Sequence, residues 1–337
     1  MNKNKSVWLL FLMFFLGSAS ELTYGEETPN ISIRDLLDRY EQSLSWQESV
    51  AMEVVIQSSG KIDGQRIPSI SERTFIFRRD HNRAEWLGKK REMDENNNVD
   101  LDKCHVIKTI MNGNAFARLT SGLDRPPIGA FINRDEEFYR NSLNRLLCHP
   151  NNGGPLCGRM FGSNYKNVAD LLIESGNVLL HKNRENISGT LCYVVETRTK
   201  YGKVTAWIAP EKGYNALRWS IHKASDDLFD QAPISKRWEV RVNSWLAEFV
   251  ADDLHKVGDF WVTKVGHMTF SIGYNDDSPI KTRITKHKYK VSDIQIDPDF
   301  EALEAFKIDF PDGTPVQIEQ APGIRYVWQD GKPVRQR

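Results

Sequence analysis

The chain of 337 residues carries 45 Lys and Arg against 45 Asp and Glu, for a formal net charge of +0. That balance argues against a nucleic-acid surface, which needs a clustered basic excess. With 9 Trp, 10 Tyr and 16 Phe there is ample core material for one large β domain or two domains.

The N-terminus reads as an export signal. Lys3 and Lys5 precede any acidic residue, Val7 to Leu16 is an unbroken apolar run, and Gly17-Ser18-Ala19-Ser20 supplies the small residues of a cleavage site. The run is half the length that a bilayer-spanning helix needs, about 20 residues. Cleavage is expected after Ser20, or as late as Gly25, so residues 1–20 form the signal peptide. No Cys follows the run, which argues against a lipid-modified N-terminus, and no other stretch is apolar enough to span a bilayer. The expected product is a soluble periplasmic or extracellular protein with no stable membrane insertion.

Ile33, Leu36, Leu37, Tyr40 and Leu44 recur at helical spacing behind Ser32, a capping residue. Val50, Met52, Val54 and Ile56 then alternate as a strand does, followed by a turn at Asp63-Gly64 and a strand marked by Phe75 and Phe77. The charged, Asn-rich segment Lys89 to Asp102 reads as a mobile loop. Val106 to Leu119 reads as two strands around the hairpin dipeptide Asn112-Gly113. Helices are expected over Glu136–Leu147 and Tyr165–Glu174, the second stopped by Gly176. Strands are expected at 177–184, 190–199, 203–209, 214–223, 235–249, 258–273 and 280–296, with a final hairpin over Tyr326–Val334 as a small appendage.

Consecutive long strands joined by short turns make an antiparallel meander, which curls or closes to protect its edges. The expected fold is α+β and mainly antiparallel β: a strongly curved half-open barrel of about 10–11 strands with about three helices packed across it. The half-barrel is expected over 30–318, with a helical insertion around 134–175, and 319–337 as the terminal hairpin and tail.

Four cysteines fit an oxidising compartment. Cys148 and Cys157 bracket a turn-rich loop that can bring their sulfurs together, and such a bridge contributes roughly 2–3 kcal/mol. Cys104–Cys192 is the expected second pair, with the other connectivities open.

No catalytic signature is found: no nucleophile elbow, zinc helix or phosphate loop. The pairs Asp226-Asp227, Asp252-Asp253 and Asp276-Asp277 fall where turns are expected. Cys104-His105 would point to opposite faces of a strand and could not easily share an ion. No enzyme, metal or cofactor is expected. Trp207, Trp219, Trp238 and Trp261, with Phe75, Phe77, Phe260 and Phe270, all fall in expected strands. One by one they read as core; together they are the candidates for lining an apolar cavity.

Gly189 to Thr197, Gly202 to Gly213 with its Trp207-Ile-Ala-Pro210 turn, and Ala216 to Trp219 resemble paired strands of the LolA/LolB-type lipoprotein-carrier superfamily. Tyr289 to Pro298, leading to Phe306–Val316, is similar to the closing strand and tail of such domains. Ala209 stands where the family often has Asp. The resemblance implies a half-barrel whose apolar cavity holds acyl chains under a helical lid. No functional residue of the family is matched here. The expected function is non-enzymatic binding of a lipid or a lipoprotein acyl chain, as carrier or sensor. The alternatives are an envelope interaction module with a filled core that grips a protein partner, and an exported enzyme of unrecognised type.

Overall fold

The computed structural model describes residues 31–81, 83–93, 99–112, 115–122, 125–133, 149–159, 162–237, 242–275 and 277–336. The expected signal peptide, the expected helix over 136–147 and Trp238 lie outside them.

Helix α1 (Ile33–Ser43) starts where Ser32 accepts the N–H of Asp35, and buries Leu36, Leu37 and Tyr40. Helix α2 (Val168–Ser175) has a reciprocal cap between Asn167 and Asp170 and stops at Gly176, whose φ of +68° is left-handed. A third helix, α3 (Ile234–Arg237), is a single turn.

Seventeen strands form one sheet among the described residues. In chain order the first six are β1 (Ser49–Ile62), β2 (Gln65–Asp80), β3 (Arg83–Met93), β4 (Val99–Asn112), β5 (Ala115–Gly122) and β6 (Arg125–Asn133). Next come β7 (Leu179–Leu180), β8 (Glu185–Ile187), β9 (Thr190–Thr199), β10 (Gly202–Ala209) and β11 (Asn215–Ala224). A small separate ribbon, β12 (Leu228–Phe229) with β13 (Ala232–Pro233), precedes β14 (Val242–Val257), β15 (Phe260–Tyr274) and β16 (Thr282–Ile296). The chain closes with β17 (Pro315–Ile318), β18 (Tyr326–Gln329) and β19 (Lys332–Arg335).

Antiparallel pairing runs from β9 through β10, β11, β14, β15 and β16 to β1, then through β2, β3, β4 and β5 to β6. There β17 joins β6 in parallel, and β18 and β19 follow. β7 and β8 pair with the outer side of β9. Among the described residues no pairing joins the two ends, so the sheet they form is open, and it has more strands than the 10–11 expected.

Three local expectations are corrected. Lys89 to Asp102 is largely strand: Lys90 pairs with His105, Glu92 with Asp100 and Met93 with Val99. Of the strand expected at 177–184 only Leu179–Leu180 pairs, as β7, and the one expected at 235–249 opens on α3, with β14 described from Val242. Elsewhere local chemistry prevails. Asp63 and Gly64 have φ of +47° and +81°, the paired left-handed geometry of a two-residue hairpin.

One face of the sheet carries the main core. Residues of β1, β2, β9 to β11 and β14 to β16 pack there with α1 and α2, among them Val54, Ile56, Phe75, Val195, Trp219 and Trp245. Alternation sends Cys192 and Val194 to the opposite face, where they pack with Trp207, Ala209 and Leu217. Ala117, Phe310, Val316 and Trp328 form a third cluster. Through it the terminal hairpin is built into the sheet: Trp328 is 2% exposed and its ring lies 4.8 Å from that of Phe310. Among the described residues no helix is long and apolar enough to cross a membrane.

Candidate functional site

Most of the aromatic candidates fill the core. Phe75 is stacked 6.4 Å from Trp86, Trp219 is stacked 5.7 Å from Phe249, and Phe270 is tilted 5.6 Å from Trp245. Phe77 is likewise buried in that cluster. Trp207 lies on the opposite face, where its Nε1 donates to Glu185 at 2.7 Å and the Arg218 guanidinium covers its ring at 4.4 Å. Phe260 and Trp261 border an open cleft, about 520 Å³, shared with Arg39, Tyr214 and Asp259. The Lys212 ammonium sits 4.2 Å over the Trp261 ring, and Arg39 donates to the Tyr214 hydroxyl at 2.6 Å. This cleft is small and its rim is charged.

A larger cleft of about 970 Å³ opens where β6 meets β17. Ile128 and Ala130 of β6, Val316 and Ile318 of β17, Ile324 and Tyr326 give it an apolar wall. Ile128 is 44% exposed, which is unusual for a large aliphatic side chain on a sheet with so much apolar cover. The wall is set by long-range pairing: Val316 lies opposite Gly129, Gln317 opposite Ala130 and Ile318 opposite Phe131. Gly129 is needed there because a Cβ would come within 2.8 Å of the Phe310 ring. The far side is the loop between β17 and β18. Ala321 N–H donates to the Ile318 carbonyl at 3.0 Å and Ile324 N–H to the Ala321 carbonyl at 3.3 Å, which folds the loop back over the cleft. Gln336 N–H donates to the Arg325 carbonyl at 2.9 Å, fastening the last residues to the same rim.

None of these residues is among the cavity candidates read from the sequence. Pro126-Pro127 hides β6, and β17 is short and distant in sequence from its partner. The residual signal was the aliphatic content of Ile128 and Val316–Ile318, flanked by prolines.

Among the described residues that line the cleft, Glu319 and Arg325 are the charged ones. Among the described residues no three His, Cys, Asp or Glu are grouped to hold a metal ion. Cys157 and Cys192 are free, buried thiols, pushed up to about 11 and about 12, first of all by burial. Neither expected disulfide is shown: Cys148 lies outside the described residues, and so does the side chain of Cys104.

No family model matches the chain, and no curated protein matches it. Among solved structures it is similar to a DUF1329 family protein from Desulfovibrio piger, at 14% identity over 79% of this chain and 94% of that one, with a TM-score of 0.35. It is also similar to lipovitellin, at 8% identity over 75% of this chain and 26% of that one, with a TM-score of 0.26. Likenesses at this level carry no functional argument, and the site's own geometry has to supply it.

Proposed function

We propose that this is an exported, non-enzymatic protein that binds the acyl chain of a lipid or lipoprotein, as carrier or sensor, in the cleft between β6 and β17. The supporting observation is an open, mainly apolar cleft of about 970 Å³ with a 44% exposed isoleucine in its wall. Ligand sites are typically concave, largely apolar and roughly 300–1,000 Å³. Burial supplies the affinity: each CH₂ removed from water contributes about 0.8 kcal/mol, less the cost of immobilising the chain. This reading moves the ligand away from the aromatic candidates, whose side chains already fill one another's space.

Mass spectrometry of an organic extract of the purified protein should find lipid, and a fluorescent fatty acid should bind and be displaced by unlabelled acid. Ile128→Asp should weaken that binding about tenfold or more while costing no more than ~1–2 kcal/mol in urea unfolding, because the side chain is 44% exposed. A lipid-free protein that ignores the probe would count decisively against the proposal.

The filled core supports a second reading, an interaction module. Its natural docking point would be the open edge at β19, yet that strand carries Lys332, Pro333 and Arg335. Proline and charge on an edge discourage strand addition. Deleting residues 319–337 does not separate the two readings, since that segment walls the cleft.

A further inference from the structure

The sheet face turned away from the main core carries a row of cations along β16. Between Lys286 and Lys290 the side chains alternate strictly. His287 and Tyr289 are buried on the core face, 6% and 0% exposed, so Lys286, Lys288 and Lys290 stand on the opposite side, all exposed. Both flanking strands lie wholly within the described residues. In β1 the partners of the three lysines are Ser59, Gln57 and Val55, and in β15 they are Thr269, His267 and Val265. None of these is a carboxylate, and His267 is paired with Asp252 at 3.0 Å. The row continues past Ile284, which lies opposite Lys61, and Lys61 in turn lies opposite Arg66 of β2; both cations are exposed.

This arrangement is unfavourable in isolation. Lysines two residues apart on a strand are separated by ~7 Å, inside a screening length of about 8–10 Å, so they repel one another. Like charges directly opposite, as at Lys61 and Arg66, are also destabilising. Other cations of the sheet are offset by carboxylates: Arg78 and Lys108 by Glu85, Lys203 by Glu196 and Arg218 by Glu248. Along this row the carboxylates stand at the margins. Glu53 and Asp293 are opposite each other beyond Lys290, and Glu72 of β2 accepts from Gln57 at 3.3 Å.

We infer that this face docks on an anionic membrane surface, with Lys286, Lys288 and Lys290 against the lipid phosphates. The shape of the row favours such a partner: it runs straight for roughly 20 Å from Lys61 to Lys290 and lies outside both clefts, so it meets charge without enclosing a ligand. The residue type favours it too. Lysine is a compact, strongly hydrated point charge, depleted in protein–protein interfaces. Near an anionic bilayer each one contributes about fivefold in affinity. The chain as a whole has a formal net charge of +0, so attraction to anionic lipid has to come from a local excess such as this. Docking of this kind is peripheral and needs no inserted segment. An acyl-chain carrier would load or unload at such a surface, but the docking rests on the charges alone and stands without that reading.

The test is co-sedimentation of the full chain with phosphatidylcholine vesicles containing rising fractions of phosphatidylglycerol. Binding should rise with the anionic fraction and fall as salt is raised. Changing Lys286→Gln, Lys288→Gln and Lys290→Gln together should weaken it about a hundredfold, while Lys286→Arg, Lys288→Arg and Lys290→Arg together should retain it. The side chains are exposed, so urea unfolding of the Gln variant should match that of the parent. A second triple variant, Lys182→Gln, Lys256→Gln and Lys332→Gln, removes the same net charge from exposed positions elsewhere and should bind like the parent. Equal losses in the two Gln variants, or equal binding to charged and uncharged vesicles, overturns the inference. So does capture by a soluble acidic polysaccharide without vesicle binding, which would give the face to a different partner. Docking that persists in a protein unable to take up the fluorescent fatty acid upholds this inference and fails the acyl-chain reading.

Discussion

Lys223 provides a quantitative test of how dry the core is. It is 0% exposed, and its Nζ donates to the carbonyls of Tyr201 at 2.6 Å and Leu228 at 2.9 Å. The rings of Tyr201, Phe229 and Trp245 surround the nitrogen at 5.5, 5.9 and 5.6 Å. Burial brings the ammonium down from 10.5 to about 7, against the pull of Asp227 and Asp230. Asp227 is already engaged by Arg198 at 2.7 and 2.9 Å and by the Ala224 N–H at 2.7 Å. Above the unfolded value of 10.5 the amine is neutral in both states and pH has no effect through it. Between there and about 7 only the unfolded chain binds the proton, so stability falls as pH falls. The slope is about 1.4 kcal/mol per pH unit, and the whole window amounts to roughly 4–5 kcal/mol. Lys223→Met keeps an apolar stem of similar size and removes the proton site. It strands two buried carbonyls, at about 1–3 kcal/mol each, so the variant should be the less stable at pH 10. That gap should shrink by about 1.4 kcal/mol for each unit down to pH 7. Urea unfolding followed by Trp fluorescence at pH 7, 8, 9 and 10 measures it. Parallel stability curves for the two proteins would mean that Lys223 keeps its charge in the fold, and the dry-core reasoning would fail.

Glu85, with its side chain 6% exposed, is paired with Arg78 at 3.1 Å and Lys108 at 3.3 Å and accepts the Phe306 N–H at 3.2 Å. Glu85→Ala leaves two cations and an amide unpaired and should cost about 3–5 kcal/mol in urea unfolding; a loss below ~1 kcal/mol would show that this clip is solvated. Gly202 has φ of +114°, and a Cβ there would run into the His222 carbonyl, so Gly202→Ala should lower the unfolding midpoint by the equivalent of ~2 kcal/mol or more. Cys157 and Cys192, buried and held as thiols, should resist alkylation in the native protein and react fully after unfolding without reductant. Intact mass showing either one already oxidised would restore the bridges expected from the sequence.

What the sequence revealed about the fold is what neighbours in the chain decide. Ser32 starts a helix because its side chain reaches an N–H three residues on, and Asp63-Gly64 turns because both residues accept left-handed backbone. The alternation of Val50, Met52, Val54 and Ile56 shows which side of β1 is dry. Lys89 to Asp102 shows the limit of such evidence. Its charge and asparagines favour a loop by composition, yet Lys89 and Lys90 are held as strand by partners on both sides and Val99 and Asp100 by β3, and pairing energy comes from backbone groups that composition does not report.

The candidate site failed to show for a related reason. Burial of Phe75 or Trp219 is written in an alternating pattern, but the same pattern arises whether the facing volume is filled or empty. An opening is a property of what is absent opposite a side chain. Ile128 illustrates this: as one apolar residue after two prolines it carries no periodic signal, and its exposure follows from a parallel strand contributed by residues 315–318 and a loop that folds back only after them. The feature most informative about function, an uncovered aliphatic side chain, is thus set by long-range register, and it is testable by changing one residue.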